Sequence, residues 1–284
     1  MRTSSWVRSV IGLVPLFAFI IIFEVVPVVG IIVSGFITQN KGSFTLRYFG
    51  QAFSRYLSSF ITSSSLSAES AGLGCVVGLF IVFVLLTEQS PIFRRFLESF
   101  MAVTANFAGI PLAFAFMVSL GANGIMTNIL SSYFHLHLYH DGFSLISGLG
   151  LVLVYSNFQI PLAVLVLLPT VSGLKQDWKE ANSVLGGHSA DYFFRIIVPI
   201  IMPSVIGVFL LLFANAFGAY ATAYALAGGA INLVPIQIGF LINGNVSFNV
   251  NLGDAIATAM MVLLMTLVFF STKLARLSSL WEVK

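Results

Sequence analysis

The stretch WKEANSVLGGHSADYFFRIIVPIIMP, Trp178 to Pro203, holds the densest mixture of charge, amide and glycine in the chain and lies between two long apolar runs. Trp178, Ala181, Val184 and Leu185 recur at helical spacing, while Lys175, Asp177, Lys179, Glu180, Asn182 and Ser183 fall largely elsewhere. That pattern predicts a short amphipathic helix, stopped by Gly186-Gly187. Ser189 is expected to cap a second helix, with Asp191 favoured in its first turn by the helix dipole. Phe193, Phe194, Ile196 and Ile197 lead that helix into the next apolar run, which Pro199 and Pro203 are expected to kink or break. A hinged helix pair of this kind reads either as a handle that another protein can push or as a connector lying on a membrane surface.

Outward from this stretch the chain is apolar. Of its 284 residues 58% are hydrophobic and 8% charged, with a mean hydropathy of +1.00. Ordinary soluble domains carry roughly 25% charged residues, so this composition cannot cover a water-facing surface. The fold class is therefore all-α, a polytopic membrane protein whose surroundings are the lipid bilayer rather than nucleic acid. A span needs about 20 mostly apolar residues. Six candidates stand out, at 9–35, 60–87, 96–120, 144–168, 203–226 and 254–274, in one transmembrane domain of residues 1–284 with a loop at 170–200. The first run follows Arg2 and Arg8 but is too long for a signal peptide and lacks a small-x-small cleavage site, so it is expected to be retained. The one cysteine, Cys75, allows no internal disulfide and no zinc spacing.

Orientation follows from thirteen Lys and Arg. With a cytoplasmic N-terminus, the inner segments hold Arg2, Arg8, Arg94, Arg95, Lys175, Lys179, Arg195, Lys273, Arg276 and Lys284, and the outer ones Lys41, Arg47 and Arg55. The bias places both termini and the 170–200 loop in the cytoplasm.

The loop resembles the EAA loop of type I ABC importer permeases. That pattern is Glu-Ala-Ala, three residues, Gly, nine residues, Ile, one residue, Leu-Pro; here it reads Glu180-Ala181-Asn182, Gly186, Ile196 and Val198-Pro199. Asn182 stands in place of the second alanine and Val198 in place of leucine. Six spans with this loop between the fourth and fifth match the family architecture over most of the chain. The resemblance implies a coupling helix, with Glu180, Ala181, Gly186, Ile196 and Pro199 as ATPase-coupling positions. It implies separate ATP-binding cassette subunits, a second permease, expected to be a paralogue, and an extracellular or periplasmic solute-binding protein, all at a prokaryotic plasma membrane. ATP and Mg would belong to the ATPase, with no cofactor in this chain. The sequence contains no G-x-x-x-x-G-K-[ST] phosphate loop, so it is expected not to be an enzyme by itself.

Candidates for the pathway are polar residues inside apolar runs. Glu24 and Glu69 lie within the first and second spans, where a carboxylate is costly unless it faces a cavity or a partner. They read either as a cation-attracting lining or as helix-contact residues, and SSSLSAESAG around Glu69 is a small-residue face suited to close helix packing. Asn215, Tyr220, Thr222 and Tyr224 supply polar groups in the fifth span. Tyr220 and Tyr224 share a helix face. This segment, with INLVPIQIGFLIN after it and TLRYFGQAF at Thr45 to Phe53, resembles the subclass importing polyamines, ferric iron, thiamine, sulfate and phosphonates. The two glutamates tilt the expected cargo toward a small polar or cationic solute such as a polyamine. Asn157-Phe158-Gln159-Ile160-Pro161 is expected to mark a helix irregularity. His135, His137 and His140 with Asp141 complete no metal spacing. The competing functional reading is an ion-coupled secondary transporter using Glu24 and Glu69, although no internal repeat supports it. A membrane enzyme would need a catalytic cluster that the sequence lacks.

Overall fold

The computed structural model describes residues 13–38, 42–87, 90–140, 142–244 and 249–282, the side chains of 176 and 275–282 excepted. Arg2, Arg8, Lys41, Asp141 and Lys284, used above for orientation and metal binding, lie outside the described residues, as does the side chain of Arg276. Among the described residues the structure is helical apart from turns and one isolated antiparallel bridge between Ile37 and Phe44.

In chain order the helices are α1 (Leu13–Gly35), α2 (Arg47–Thr87), α3 (Pro91–Ala105), α4 (Ile110–Leu120), α5 (Ile125–Phe134), α6 (Gly148–Ser172), α7 (Gln176–Val184), α8 (Ser189–Phe217), α9 (Tyr220–Ala227), α10 (Val234–Asn243) and α11 (Val250–Glu282). Six stretches are long and apolar enough to cross a bilayer: α1, α2, the α4–α5 stretch Ile110–Phe134, α6, α8 and Val250–Leu274 of α11. The count of six matches the sequence reading, and the molecule is a polytopic helical membrane protein. Several boundaries differ. The 41 residues of α2 begin at Arg47, well before the expected residue 60. At 1.5 Å per residue the helix is roughly 60 Å long, about twice the hydrocarbon thickness.

The expected third span, 96–120, is not one helix. α3 ends at Ala105, Gly109 takes φ +76° and ψ −151°, and α4 starts afresh at Ile110 with Pro111 in its first turn. A hydropathy window cannot see this break, because Ala108, Gly109 and Pro111 leave the average apolar while the backbone turns. The expected fifth span, 203–226, is likewise divided: α8 stops at Phe217 and α9 restarts at Tyr220.

Pro199 and Pro203, expected to kink or break the helix, do not break it. Proline lacks an N–H, and its ring crowds the carbonyl four residues back. Before Pro27 and before Pro199 the helix widens by a residue: Val26 N–H bonds Ile21 O, and Val198 N–H bonds Phe193 O. The wide turns, Ile21–Val25 and Tyr192–Ile197, move the crowded carbonyl aside and let α1 and α8 continue. Pro203 sits inside α8 and Pro161 inside α6, and both helices run on through them. α6 is unbroken at Asn157–Pro161, where an irregularity was expected, and Asn157 Oδ1 is buried there with no hydrogen-bond partner among the described residues.

The chain divides into two compact units, 1–58 with 237–262 and 59–236 with 263–284. In the first, Asn251 on α11 donates to Ser34 O and Ile37 O, both at 2.9 Å, and ties down the end of α1. A Cβ on Gly35 would lie 3.1 Å from the Ala255 backbone, so helices meet there at close range. In the second unit the core joins α2, α6 and α8 through Val82, Leu85, Val164, Leu167, Ile201 and Leu212. Small residues allow the approach. A Cβ on Gly78 would lie 2.6 Å from Ala163 Cβ, and one on Gly74 3.0 Å from Gln159 Cβ. The serine face read from SSSLSAESAG is buried at Ser63, Ser67 and Ser70. Ser63 Oγ accepts the Val234 N–H at 2.9 Å, and Ser59 Oγ donates to Asn232 Oδ1 at 2.7 Å.

Candidate functional site

Two regions of the second unit carry the residues singled out above. The first is the elbow between α7 and α8. α7 ends in a full Schellman turn: Gly186 adopts φ +76°, its N–H bonds Ser183 O at 3.1 Å, and Gly187 N–H bonds Asn182 O at 2.9 Å. No atom stands within 4 Å of a Cβ built on Gly186, so glycine is needed there for the backbone angle, not for room. The predicted stop is thus formed where expected.

The predicted cap shifts by one residue. His188 occupies the N-cap position and Ser189 is the first helical residue. His188 N–H donates to Asp191 Oδ2 at 3.1 Å, and Asp191 Oδ1 lies 3.3 Å from Arg195 Nη1. The reason is spacing: Asp191 stands three residues after His188, the position from which a carboxylate reaches back to the N-cap amide.

α7 projects an apolar tip. Val184 is 87% and Leu185 86% exposed, at the end of a helix whose other apolar residues are Trp178 and Ala181. Glu180, Ala181 and Gly186 are also exposed, Ile196 is half-buried and Pro199 exposed. From the elbow the chain runs directly into the core. Phe193, in the wide turn, lies 5.7 Å from the Phe83 ring of α2, and Ile197 and Ile201 are buried among α2 and α6. A push on α7 therefore has a packed route to the bundle interior.

The second region is where the two helix breaks meet. Gly109 N–H, freed at the α3–α4 break, donates to Thr222 Oγ1 of α9 at 2.8 Å. Ala219, at the α8–α9 break, offers its carbonyl to the buried Tyr155 hydroxyl at 3.0 Å. Irregular backbone at membrane depth is tolerated where protein buries it or where it lines a cavity; both conditions hold here. An open cavity of about 410 Å³ is bounded by Ala105, Ala108, Gly109 and Phe158 on one side and Asn215 and Gly218–Thr222 on the other.

Three of the four fifth-span candidates, Asn215, Tyr220 and Thr222, border this cavity. Thr222 is buried and holds the Gly109 backbone, so its hydroxyl serves the architecture of the wall. Tyr224 is not among the lining residues and stacks on Tyr220, ring centroids 5.3 Å apart. Glu24 and Glu69 are exposed on the chain surface and are not among the lining residues either. Gln159 is fully buried and donates to Leu212 O at 2.8 Å, with Asn215 Nδ2 at 3.5 Å from its Oε1; it braces the wall behind Asn215.

Sequence reasoning missed Gly109, whose signal was Gly-x-Pro inside an apolar run, and Asp254 of α11. Asp254 is the one buried carboxylate among the described residues, 6% exposed. It sat at the edge of a predicted span, where an acid looks ordinary. Among the described residues no three His, Cys, Asp or Glu side chains gather as a metal site requires. His137 Nδ1 lies 3.1 Å from Ser131 Oγ.

No family model matches the chain. It is 24% identical over 265 residues to the spermidine/putrescine transport system permease protein PotB of Haemophilus influenzae, covering 89% of each chain. It is 27% identical over 127 residues to PotC, the corresponding permease protein of the same organism, covering 45% of this chain and 48% of that one. Its fold matches a chain of a bacterial ABC transporter involved in the import of the acidic polysaccharide alginate, with a TM-score of 0.69, 16% identity and 96% of both chains covered. These relatives do not favour the secondary-transporter reading. Along most of its length the chain is thus similar in sequence to PotB, a transport system permease protein, and in fold to a chain of a solved ABC transporter, so its relatives are permease subunits of ABC importers.

Proposed function

We propose that the chain forms half of a translocation pathway, takes its driving force through α7 from a separate ATPase subunit, and passes a small cation of the polyamine class. The observation that carries the coupling reading is the exposed Val184–Leu185 tip of an amphipathic helix, beside a hydrogen-bonded glycine turn and joined to the core through Phe193. An apolar tip of this kind fits a groove on a partner. Glu180, Ala181, Gly186, Ile196 and Pro199 serve that contact and the bend behind it. ATP and Mg bind to the ATPase, and this chain supplies no phosphate loop.

The pathway half contributed here is the wall at the two helix breaks, with Asn215 and Tyr220 presenting polar groups. The polyamine reading rests on PotB and PotC; the fold itself is neutral on cargo, since the alginate transporter shares it. Glu24, Glu69 and Asp254 are carboxylates of the apolar helices and give a cation favourable charge along the chain. A second, paralogous permease completes the pathway, and a solute-binding protein delivers the cargo. The Lys and Arg bias puts both termini and α7 on the cytoplasmic side of a prokaryotic membrane.

The test is affinity isolation of the chain from its native membrane in a mild detergent, with mass spectrometry of what is retained. Recovery of an ATPase, a second permease and a binding protein that takes up spermidine is the expected result. A Val184→Asp/Leu185→Asp variant should lose the ATPase and keep the second permease. A chain that comes alone, or a variant that keeps its ATPase, would overturn the coupling reading.

A further inference from the structure

Gly186 and Gly187 are adjacent but answer to different constraints. Gly186 needs its left-handed backbone and has empty space around it. Gly187 lacks that backbone demand; a Cβ there would instead lie 2.3 Å from Asn182 Oδ1 and 2.9 Å from Asn182 Nδ2. The space above Gly187 is thus filled by the Asn182 side chain, which passes over it and donates from Nδ2 to His188 O at 3.2 Å. Asn182 also accepts the Gly187 N–H on its own carbonyl at 2.9 Å. One residue of α7 therefore grips both sides of the elbow, at the N-cap residue from which α8 starts. Asn182 is also one of the two positions, with Val198, where the loop departs from the family pattern, and an alanine there could make no such bond.

We infer that Asn182 is a positioning residue: with the side-chain space left by Gly187, it sets and stiffens the angle between the coupling helix and α8. The inference deepens the coupling reading of α7 and rests on it for its effect on transport. Without the bond the Schellman turn remains, but α7 gains rocking freedom about Gly186, and part of each ATPase stroke is absorbed in the elbow. With the bond, displacement of α7 passes to Phe193 and the core. A single hydrogen bond of ordinary net strength changes a local equilibrium by roughly three- to tenfold.

The experiment uses the assembled transporter with its ATPase. Nitroxides at Lys179→Cys and Ala190→Cys, both exposed positions flanking the elbow, report the spread of inter-spin distances. In a separate sample, the alkylation rate of Ala221→Cys in the cavity wall, with and without ATP, reports whether force reaches the pathway and needs no knowledge of the cargo. Asn182→Ala and Gly187→Ala should each broaden the distance spread and reduce the ATP-dependent change in alkylation by roughly three- to tenfold. Because both delete the same bond, the double variant should be no worse than Asn182→Ala alone. An unchanged distance spread in Gly187→Ala, or effects that add in the double variant, would overturn the role given to Asn182. If the spread responds as expected while ATP leaves alkylation unchanged even with the native elbow, the coupling reading of α7 fails and the elbow geometry stands.

Discussion

The elbow and the cavity are both built around glycines of positive φ, Gly186 at +76° and Gly109 at +76°, yet they are different kinds of structure. The turn, cap and ion-pair bonds named at the elbow lie within the 14 residues from Asn182 to Arg195. The cavity wall is closed by a bond between residues 113 apart, Gly109 and Thr222, and is braced by Gln159 and Tyr155 from a third helix. An elbow made of local bonds can move as a unit and be gripped from outside. A wall made of distant bonds exists only when the bundle is assembled, and it can change shape when helices shift. The lesson is a contrast in construction: an elbow built from local bonds and a cavity wall that depends on long-range packing.

The largest effect on stability is expected at the wall. Gly109 has φ +76° with ψ −151°, a region held almost exclusively by glycine, so Gly109→Val should cost about 3 kcal/mol. The loss would appear as a lower melting temperature of the detergent-purified chain. Next comes Thr222→Val, which leaves the half-buried Gly109 N–H without its acceptor and should cost about 1 kcal/mol in the same assay. Gly186→Leu places a side chain at a left-handed angle but meets no neighbour; its stability cost should be only about 1 kcal/mol. Its effect should fall on function instead: uptake is lost while the amount of chain in the membrane is unchanged. The smallest effect is expected for Arg195→Ala, because the Arg195–Asp191 pair is solvent-exposed, with Arg195 at 80%; its stability cost should stay within about 0.5 kcal/mol. If Gly186→Leu destabilised the chain more than Gly109→Val, or left uptake intact, the contrast between elbow and wall would not hold.

Much of the elbow was legible because it is local. Helical spacing of Trp178, Ala181, Val184 and Leu185, followed by two glycines, determines a helix and its end from contacts within one or two turns. The cap moved by one residue because Ser189 and His188 compete for the same position, and the winner is decided by where Asp191 sits. The wide turns before Pro27 and Pro199 were not legible for a related reason. A proline shows which bond is missing, but not that the helix can widen by one residue ahead of it.

The amino-acid sequence by itself determined the membrane class, the number of spans and the short helix α7 with its glycine stop, because hydropathy and short-range spacing encode these directly. Only the tertiary structure decided that the third and fifth apolar runs are broken, that the breaks meet, that Thr222 holds Gly109, and that Asp254 is buried. Each depends on which helix faces which. In an oily chain almost any face can be buried, so helix pairing is set by close-range fit at Gly74, Gly78 and the buried serines of α2, which hydropathy alone does not register.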